Sequence, residues 1–215
     1  MSISQHQRNA LRREMRQRRQ ALSPQQRRQA ALSLLRHFAN DPLFLRSRHI
    51  ALYLPNDGEL DLTPLLHRAW QLGKRCYLPV LSPLYHNRLW FAPYRPDSVL
   101  IPNRFGIPEP DCPWRDMRRV YSLDLVLTPL VAFDAEGNRL GMGGGYYDRT
   151  FAYLQQRRHW KKPRLIGTAY RFQQHSSLPS ASWDIPLDGI ITEQGWGSLK
   201  LPGMIRDTNP IDLPL

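Results

Sequence analysis

The apolar positions at the beginning of the chain recur with the period of an α-helix. Leu11, Met15 and Leu22 fall on one stripe when successive residues are placed 100° apart, which predicts a helix over residues 6–22. The surrounding positions are mostly arginine and glutamine. The stripe is therefore the face that we expect to pack on a core.

A second helix begins directly after the first. Ser23 is a suitable N-cap, Pro24 stands at the first helical position, and Gln26 completes a capping box. This helix is predicted to continue to about Ala39 and to stop before a proline that follows shortly afterwards.

The rest of the chain alternates between short apolar runs and helical segments. The runs rich in β-branched and aromatic residues predict strands over 49–54, 75–80, 89–94, 164–170 and 189–192, with a further strand opening 124–134. Helices are predicted from Thr63 to the residue before Gly73 and from about Tyr146 to Arg158. Residues 95–118 hold five prolines and indicate a long ordered loop.

This alternation predicts the fold class. We expect an α/β protein, a three-layer α/β/α sandwich with a mostly parallel, Rossmann-like sheet flanked by helices. Residues 1–215 fit one domain, with basic helices over 6–39 and an irregular tail from about 195. In such sheets ligands bind at the carboxyl ends of the strands. The segments 56–61, 132–145 and 170–174 follow strands and become candidates for a site.

The composition excludes several classes of protein. No apolar run approaches the length of a membrane span, and the basic N-terminal stretch lacks the apolar core of a secretory signal. We therefore expect a cytoplasmic protein. As a separate expectation, we take the protein to be a monomer. Two cysteines do not make a disulfide framework. No spacing of cysteine and histidine suggests zinc.

Positive charge is concentrated near the N-terminus. The net charge is +12, and residues 1–48 contribute +9 of it through eleven arginines. Such asymmetry suggests an anionic partner, either nucleic acid, anionic lipid or a phosphorylated ligand. Most of these arginines read as a solvated face. Arg8 and Arg12 are the exception, because their i, i+4 spacing puts both beside the apolar stripe, within reach of an anionic ligand.

A glycine cluster gives the strongest chemical signal. Residues 141–145 contain four glycines and precede a predicted helix, an arrangement that lets backbone N–H groups turn toward phosphates. Arg139 is able to add a full charge. A tight strand-to-helix turn explains the glycines equally well, and the spacing matches neither a Walker A loop nor a dinucleotide fingerprint.

Carboxylates near this cluster suggest a metal. Asp148 lies in the first turn of the predicted helix, where it either complements the helix dipole or, beside phosphates, binds Mg²⁺. A second carboxylate would come from Asp184 or Asp188. Glu59 follows the first strand, either as part of a polar turn or as an acceptor for hydrogen bonds from a substrate ring.

Taken together, these segments resemble the 5-formyltetrahydrofolate cyclo-ligase family. The resemblance covers roughly residues 8 to 193. It is carried by YLPNDGELD, NRFGIPEP, LTPLVAFDAEGNRLGMGGGYYDR and GTAYRFQQ with SLPSASWDIPLDGIIT, together with the arginine-rich first helix. It implies conversion of 5-formyltetrahydrofolate and ATP into 5,10-methenyltetrahydrofolate, ADP and phosphate, with Mg²⁺ as the metal.

The resemblance also assigns residues to roles. The expected catalytic residues are Glu59, Arg139 and Asp148. The metal ligands are Asp148 and Asp184. Leu54, Glu59, Phe105, Tyr146 and Tyr147 are expected to line the pocket for the reduced folate, and the basic rim suggests that a polyglutamylated folate is a substrate. The ATP-contacting positions are Arg8, Arg12, Arg139, Gly141, Met142, Gly143, Gly144, Gly145, Tyr146 and Tyr147.

Two features keep alternatives open. Some members of the family carry Arg and Lys where this chain has Met142 and Gly144, so phosphate neutralisation would rest more on backbone amides and the other arginines. A non-catalytic relative that binds folate and nucleotide is one alternative, and an enzyme of the same fold with other chemistry is another. A nucleic-acid-binding protein is a third, which the absence of any zinc-finger or RNP-like pattern disfavours.

Overall fold

The computed structural model describes residues 5–156, 162–178 and 180–197, and its helices and strands follow the predicted alternation. The helices are α1 (Gln5–Gln20), α2 (Pro24–Phe38), α3 (Pro42–Arg46), α4 (Thr63–Gln71), α5 (Tyr146–Phe151) and α6 (Tyr153–Gln156). The strands are β1 (His49–Ala51), β2 (Arg75–Leu81), β3 (Leu89–Tyr94), β4 (Leu100–Pro102), β5 (Pro108–Pro110), β6 (Leu125–Pro129), β7 (Ala132–Phe133), β8 (Arg139–Leu140), β9 (Arg164–Thr168), β10 (Gly189–Thr192) and β11 (Gly195–Trp196).

Within these ranges seven strands form one sheet in the order β11-β10-β9-β6-β1-β2-β3. The five central strands are parallel, whereas β3 and β11 run antiparallel at the two edges. The carboxyl ends of the parallel strands therefore meet at one edge. The predicted α/β fold with a mostly parallel sheet is confirmed.

Helices cover both faces of this sheet. On one face α2 and α4 pack on β1, burying Phe38 and Leu65 against Ile50. On the other face Phe151 of α5 packs with Ala51. Burial of each such large side chain contributes about 1.5–3 kcal/mol. These contacts fix where each strand ends, and so where the residues that follow the strands lie.

The predicted helix signals at α2 and α4 are confirmed. The Ser23 hydroxyl accepts the Gln26 N–H at 3.2 Å, and the Gln26 side chain accepts the Ser23 N–H at 2.8 Å. A cap of this kind contributes about 1 kcal/mol. Gly73 follows α4 with φ +67°, the left-handed conformation expected after a helix end.

Several predicted boundaries were wrong. Residues 95–118 include the hairpin of β4 and β5, with the pairs Leu100–Pro110 and Pro102–Pro108. The prolines remove the usual sequence signal of a strand, so this hairpin was not predicted. The first strand ends at Ala51 rather than at residue 54, because the chain leaves the sheet to line a cavity. Helix α3 was not predicted, and the part of the tail that is described pairs as β11.

The helix predicted over 146–158 is interrupted. It forms α5 and α6 with a break at Ala152, and residues 157 and 158 lie outside the described ranges. None of the helices in those ranges is both long and apolar enough to span a membrane.

Candidate active site

A cavity of about 800 Å³ opens at the carboxyl ends of β1, β2 and β6. Tyr53 and Leu54, which follow β1, form part of its wall, with Pro79 of β2 and Leu130 after β6. This is the edge of a parallel sheet where ligands bind. All the site residues expected from the sequence line this one cavity.

The glycine loop, residues 141–145, connects β8 to α5 and borders the cavity. Gly145 is the residue before the helix and has φ +65°, a conformation that residues with a Cβ rarely adopt. A Cβ at this position would lie 2.8 Å from Nη1 of Arg149. Glycine is therefore favoured by the backbone conformation at this position. A residue with a Cβ would also force the Arg149 side chain to move.

Two arginines donate hydrogen bonds to carbonyl oxygens of this loop. The Nε of Arg12 donates to the Gly141 carbonyl at 2.9 Å, and Nη1 of Arg149 donates to the Gly144 carbonyl at 2.6 Å. Arg8 lines the same part of the cavity. Burial lowers the pKa of Arg12, and the like charge of Arg8 lowers it further. An anion bound between these guanidinium groups would relieve that repulsion.

Helix α1 reaches the loop because its apolar stripe is anchored there. Met15 is buried against Leu140 of β8 and Val131, and Leu11 packs on the same cluster. The predicted packing of the stripe is confirmed for Leu11 and Met15, but Leu22 lies beyond the end of α1 and packs on a different cluster.

Arg139 is nearly enclosed beside the glycine loop, with its side chain 6% exposed. Its guanidinium forms an ion pair with Asp148 through Nη2 and donates from Nη1 to the carbonyl of Ile185. Burial lowers the pKa of Arg139, while the charges of Asp148 and Asp184 oppose that shift. These contacts bring the ends of β8 and α5 together with the segment before β10.

The choice between Asp184 and Asp188 is decided by topology. Asp184 lines the cavity, and its Oδ2 accepts the Ala181 N–H at 2.8 Å. Asp188 stands at the amino ends of β9 and β10, where it accepts the Leu165 N–H at 2.8 Å and pairs with Arg164 at 3.1 Å. Of the two, Asp184 is the one at the cavity.

The donor set fits a Mg²⁺ that arrives with phosphates. Asp148 and Asp184 both line the cavity, but the described residues contain no group of three or more His, Cys, Asp or Glu side chains that could hold a metal. Mg²⁺ is commonly bound by one or two carboxylates, with phosphate oxygens and water completing its shell. Two carboxylates beside a glycine loop meet that requirement.

Glu59 also lines the cavity, in the turn that follows β1. Its side chain is 14% exposed, and its Oε2 accepts the Asn56 N–H at 3.2 Å. Burial raises the pKa of Glu59 to about 7, against the hydrogen bond from Asn56 and the charge of Arg19. Burial also raises the pKa of Tyr53 and Tyr147, and the charge of Glu59 adds to both shifts.

Aromatic side chains form the outer wall. Phe105 is 56% exposed at the tip of the β4–β5 hairpin, and its ring meets the Tyr146 ring edge-on at 6.2 Å. Nη2 of Arg104 donates to the Tyr146 hydroxyl at 2.9 Å. The tip therefore reaches toward the glycine loop, and the exposed Trp183 stands at the rim. These rings offer flat surfaces to a planar ligand.

Sequence reasoning missed Arg19 and Asp57. Arg19 was assigned to the solvated face of the first helix, but its side chain is 1% exposed and pairs with Asp57 beside Glu59. Periodicity alone put Arg19 at the border of the apolar stripe and gave no reason to bury it. Asp57 has φ +51°. The sequence Asn-Asp-Gly predicts a turn at this position, but it does not predict which residues the turn contacts.

Comparison with known proteins decides the family. The model of the 5-formyltetrahydrofolate cyclo-ligase family matches residues 4–193. The chain belongs to this family. The resemblance inferred from the sequence is confirmed, as is the expectation of an enzyme of the ligase class in folate one-carbon metabolism.

Curated relatives match along nearly their whole length. The 5-formyltetrahydrofolate cyclo-ligase of Escherichia coli K12 is 43% identical over 178 residues, which cover 83% of this chain and 96% of the relative. The cyclo-ligase of Haemophilus influenzae is 40% identical over 186 residues, covering 86% and 96%.

Solved structures of the family share the fold. The 5,10-methenyltetrahydrofolate synthetase of Aquifex aeolicus matches with a TM-score of 0.75 and 32% identity, covering 94% of this chain and 97% of its own. A 5,10-methenyltetrahydrofolate synthetase from Mycoplasma pneumoniae matches with a TM-score of 0.66 and 26% identity, covering 86% and 98%.

Proposed function

We propose that the chain cyclises 5-formyltetrahydrofolate to 5,10-methenyltetrahydrofolate at the expense of ATP, in a reaction that requires Mg²⁺ and passes through a phosphorylated imidate. One observation carries the proposal. A phosphate-type glycine loop with arginines and carboxylates shares a single cavity with a buried glutamate and aromatic walls. Such an arrangement would bring the phosphoryl donor and the ring-bearing acceptor into contact.

Phosphate binding belongs to the glycine-loop side. The loop amides, Arg8 and Arg12 are proposed to hold the ATP phosphates, with Met142, Tyr146 and Tyr147 beside them. Phosphoryl transfer needs positioning and neutralisation of charge more than covalent help, which these groups supply. Arg139 is proposed to act on the same phosphates and to orient Asp148, which it contacts.

A divalent cation held here would supply positive charge that offsets the negative charge developing on the phosphates. Asp148 and Asp184 are the residues proposed to hold it, and both border the glycine loop. The ion pair of Asp148 with Arg139 keeps that carboxylate aimed toward the cavity.

Folate binding belongs to the Glu59 side. Ionised Glu59 is proposed to accept hydrogen bonds from ring N–H groups of the pterin, while Leu54, Phe105 and Tyr147 cover its faces. A carboxylate buried among tyrosines has few waters to compete with such a ligand. This orientation would leave the 5-formyl group facing the phosphates.

The chemistry requires both halves at once. The formyl oxygen attacks the γ-phosphorus, the bond to the bridging oxygen breaks, and ADP leaves with that electron pair. N10 then attacks the imidate carbon and loses its proton, and the carbon–oxygen bond breaks to release phosphate. An amide oxygen is a poor leaving group, and its phosphorylation supplies a good one.

The other expectations are kept as part of this proposal. A monomer acting in the cytoplasm on a polyglutamylated folate remains a prediction. The nucleic-acid alternative is weakened because Arg12, Arg16 and Arg19 of α1 make contacts within the protein. The non-catalytic alternative is weakened because the glycine loop, Asp148 and Glu59 share one cavity.

An isotope experiment tests the intermediate. Substrate carrying ¹⁸O in the formyl group is converted with ATP and Mg²⁺, and the released phosphate is analysed by mass spectrometry. The phosphorylated imidate requires that the ¹⁸O appear in phosphate. Its appearance in water instead would exclude the intermediate.

A further inference from the structure

Arg19 is the most deeply buried charged side chain of α1, and the reaction described above does not use it. Its Nη2 lies 3.1 Å from Oδ2 of Asp57. Its Nη1 lies 3.9 Å from Oε1 of Glu59. Glu59 lines the cavity and Arg19 does not, so Arg19 contacts this carboxylate from within the protein.

The turn that carries Glu59 is clamped on α1 at this point. Asp57 accepts Nε of Arg16 at 2.5 Å and Nε2 of Gln20 at 2.6 Å, in addition to Arg19. A Cβ on Gly58 would lie only 3.1 Å from the backbone carbonyl group of Arg19, so glycine is what allows the turn to lie flush on the helix. Burial by itself would raise the pKa of Asp57, but the hydrogen bonds from Arg16 and Gln20 and the two arginine charges hold it low.

The same helix touches the glycine loop at its other end. Arg12 donates to Gly141, whereas Arg19, two turns further along, holds the Glu59 turn. The seven positions from Arg12 to Arg19 correspond to about 10 Å of helix. One rigid element therefore sets the separation between the two halves of the cavity.

We propose that Arg19 is a positioning residue that aims Glu59 at the pterin ring and keeps it in the ionised form that binds the ring. This inference rests on the proposed function. Arg19 acts on the folate through Glu59, and its anchor on Asp57 prevents it from neutralising Glu59 completely.

A purely structural role explains Arg19 poorly. Its Nε is buried and finds no hydrogen-bond partner among the described residues. Buried ion pairs contribute little to stability compared with apolar side chains of similar volume. A methionine at position 19, like Met15 on the same helix, would be buried without the cost of desolvating a charge. The charge of Arg19 is balanced by Asp57 at 3.1 Å, and it also reaches Glu59 at 3.9 Å, where an apolar side chain would have no effect on the carboxylate.

Burial favours the protonated form of Glu59, and the hydrogen bond from the Asn56 N–H is the largest effect that opposes it. Arg19 on α1 favours its ionised form, whereas Asp57 in the same turn disfavours it. The hydroxyls of Tyr53, after β1, and Tyr147, on α5, face it from the remaining sides and stay neutral over the physiological range, because burial raises the pKa of both. Arg19 is the positive charge in this set.

The test compares Arg19→Met with Arg19→Lys and with Arg13→Met. The last variant is a matched control, because Arg13 is an exposed arginine of the same helix. Dissociation constants for 5-formyltetrahydrofolate and for ATP are measured separately, together with thermal unfolding. We expect Arg19→Met to weaken folate binding about tenfold and ATP binding less than twofold. Arg19→Lys is expected to recover part of the loss, and Arg13→Met to change neither constant.

A second readout needs no ligand. The ¹³C chemical shift of the Glu59 carboxyl, assigned with Glu59→Gln, is followed against pH in the wild type and in Arg19→Met. The midpoint is expected near pH 7 in the wild type and at higher pH in the variant, because loss of the cation favours the protonated carboxyl.

Three results would overturn the inference: an unchanged Glu59 midpoint, unchanged folate binding, or equal weakening of both ligands. If Arg19→Met shows no cooperative unfolding, the same comparisons are made with Arg19→Gln, which removes the charge and keeps a polar side chain able to donate to Asp57. A wild-type chain that binds no 5-formyltetrahydrofolate would refute the proposed function instead, whereas the Glu59 titration would still decide whether Arg19 controls that carboxylate.

Discussion

Arg12 donates a hydrogen bond from Nε to the carbonyl oxygen of Gly141 at 2.9 Å, although 129 positions separate the two residues. This contact joins the basic first helix to the glycine loop. It explains why the charge of that helix belongs to the cavity rather than to an independent surface. It also makes the helix part of the proposed ATP site.

Arg12→Ala is expected to raise the KM for ATP by about tenfold or more, because a charge-assisted contact to the loop and a positive charge at the phosphates are both lost. Arg12→Lys should recover only part of this, since lysine cannot reproduce the Nε contact. Steady-state kinetics at saturating folate measure the effect. Arg13→Ala, which removes an exposed arginine next to it, serves as the control. An equal change in both variants would point to overall charge rather than to the contact.

Gly145→Ala is expected to cost more stability than Gly106→Ala. Both glycines have left-handed φ, +65° and +75°, so each substitution carries about 1–2 kcal/mol of backbone strain. Only at Gly145 does the new Cβ meet a neighbour, at 2.8 Å from Arg149, whereas nothing lies within 4 Å of it at Gly106. Urea unfolding of the two variants gives the comparison. Equal losses would show that Arg149 moves away freely.

Asp148→Asn is expected to lower kcat about 10²–10³-fold, because the variant loses a proposed Mg²⁺ ligand and leaves the buried Arg139 without its counter-charge. The measurement is kcat as a function of Mg²⁺ concentration. Asp188→Asn is the matched control, since that aspartate lies at the other end of the strands. An unchanged dependence on Mg²⁺ in Asp148→Asn would remove Asp148 from the metal site.

Ionisation of Glu59 is expected to change the stability of the protein and its binding of folate in opposite directions as the pH rises. With a folded-state pKa of about 7 against an ordinary value of 4.5, the folded protein binds more protons than the unfolded chain between these values. The free energy of unfolding therefore falls as the pH rises from about 4.5 to 7, by at most about 3 kcal/mol. Binding of folate by the ionised form should rise over the upper part of the same interval.

The variant Glu59→Gln separates these effects. It cannot ionise, so it should be more stable than the wild type at pH 8 while binding 5-formyltetrahydrofolate more weakly. Thermal unfolding at pH 5 and pH 8, with a binding titration at pH 8, checks both. Equal stability differences at the two pH values would show that the Glu59 carboxyl is not perturbed in the folded protein.

The parts of this molecule that local sequence determines were predictable. Ser23 and Gln26 form their capping box from neighbouring residues, and the glycine cluster stands between a strand and a helix as its composition indicates. The alternation of strands and helices predicted the sheet, because apolar strands that alternate with helices are typical of a parallel sheet covered by helices on both faces.

Long-range placement was not predictable. Arg19 is buried because the turn at Asp57 docks on its helix, a contact that no spacing within the helix contains. Asp184 rather than Asp188 reaches the cavity because the two stand at opposite ends of the sheet. The β4–β5 hairpin is built largely from prolines, whose missing N–H groups remove the usual signature of a strand.

The most direct test of the proposed function is the near-ultraviolet absorbance of the purified protein mixed with 5-formyltetrahydrofolate and Mg²⁺, recorded with ATP, without ATP, and with a non-hydrolysable ATP analogue. The proposed function predicts that the band of the methenyl product rises only with ATP, in step with one ADP for each product. A rise without ATP, or no rise from protein that is shown to be folded, would contradict it.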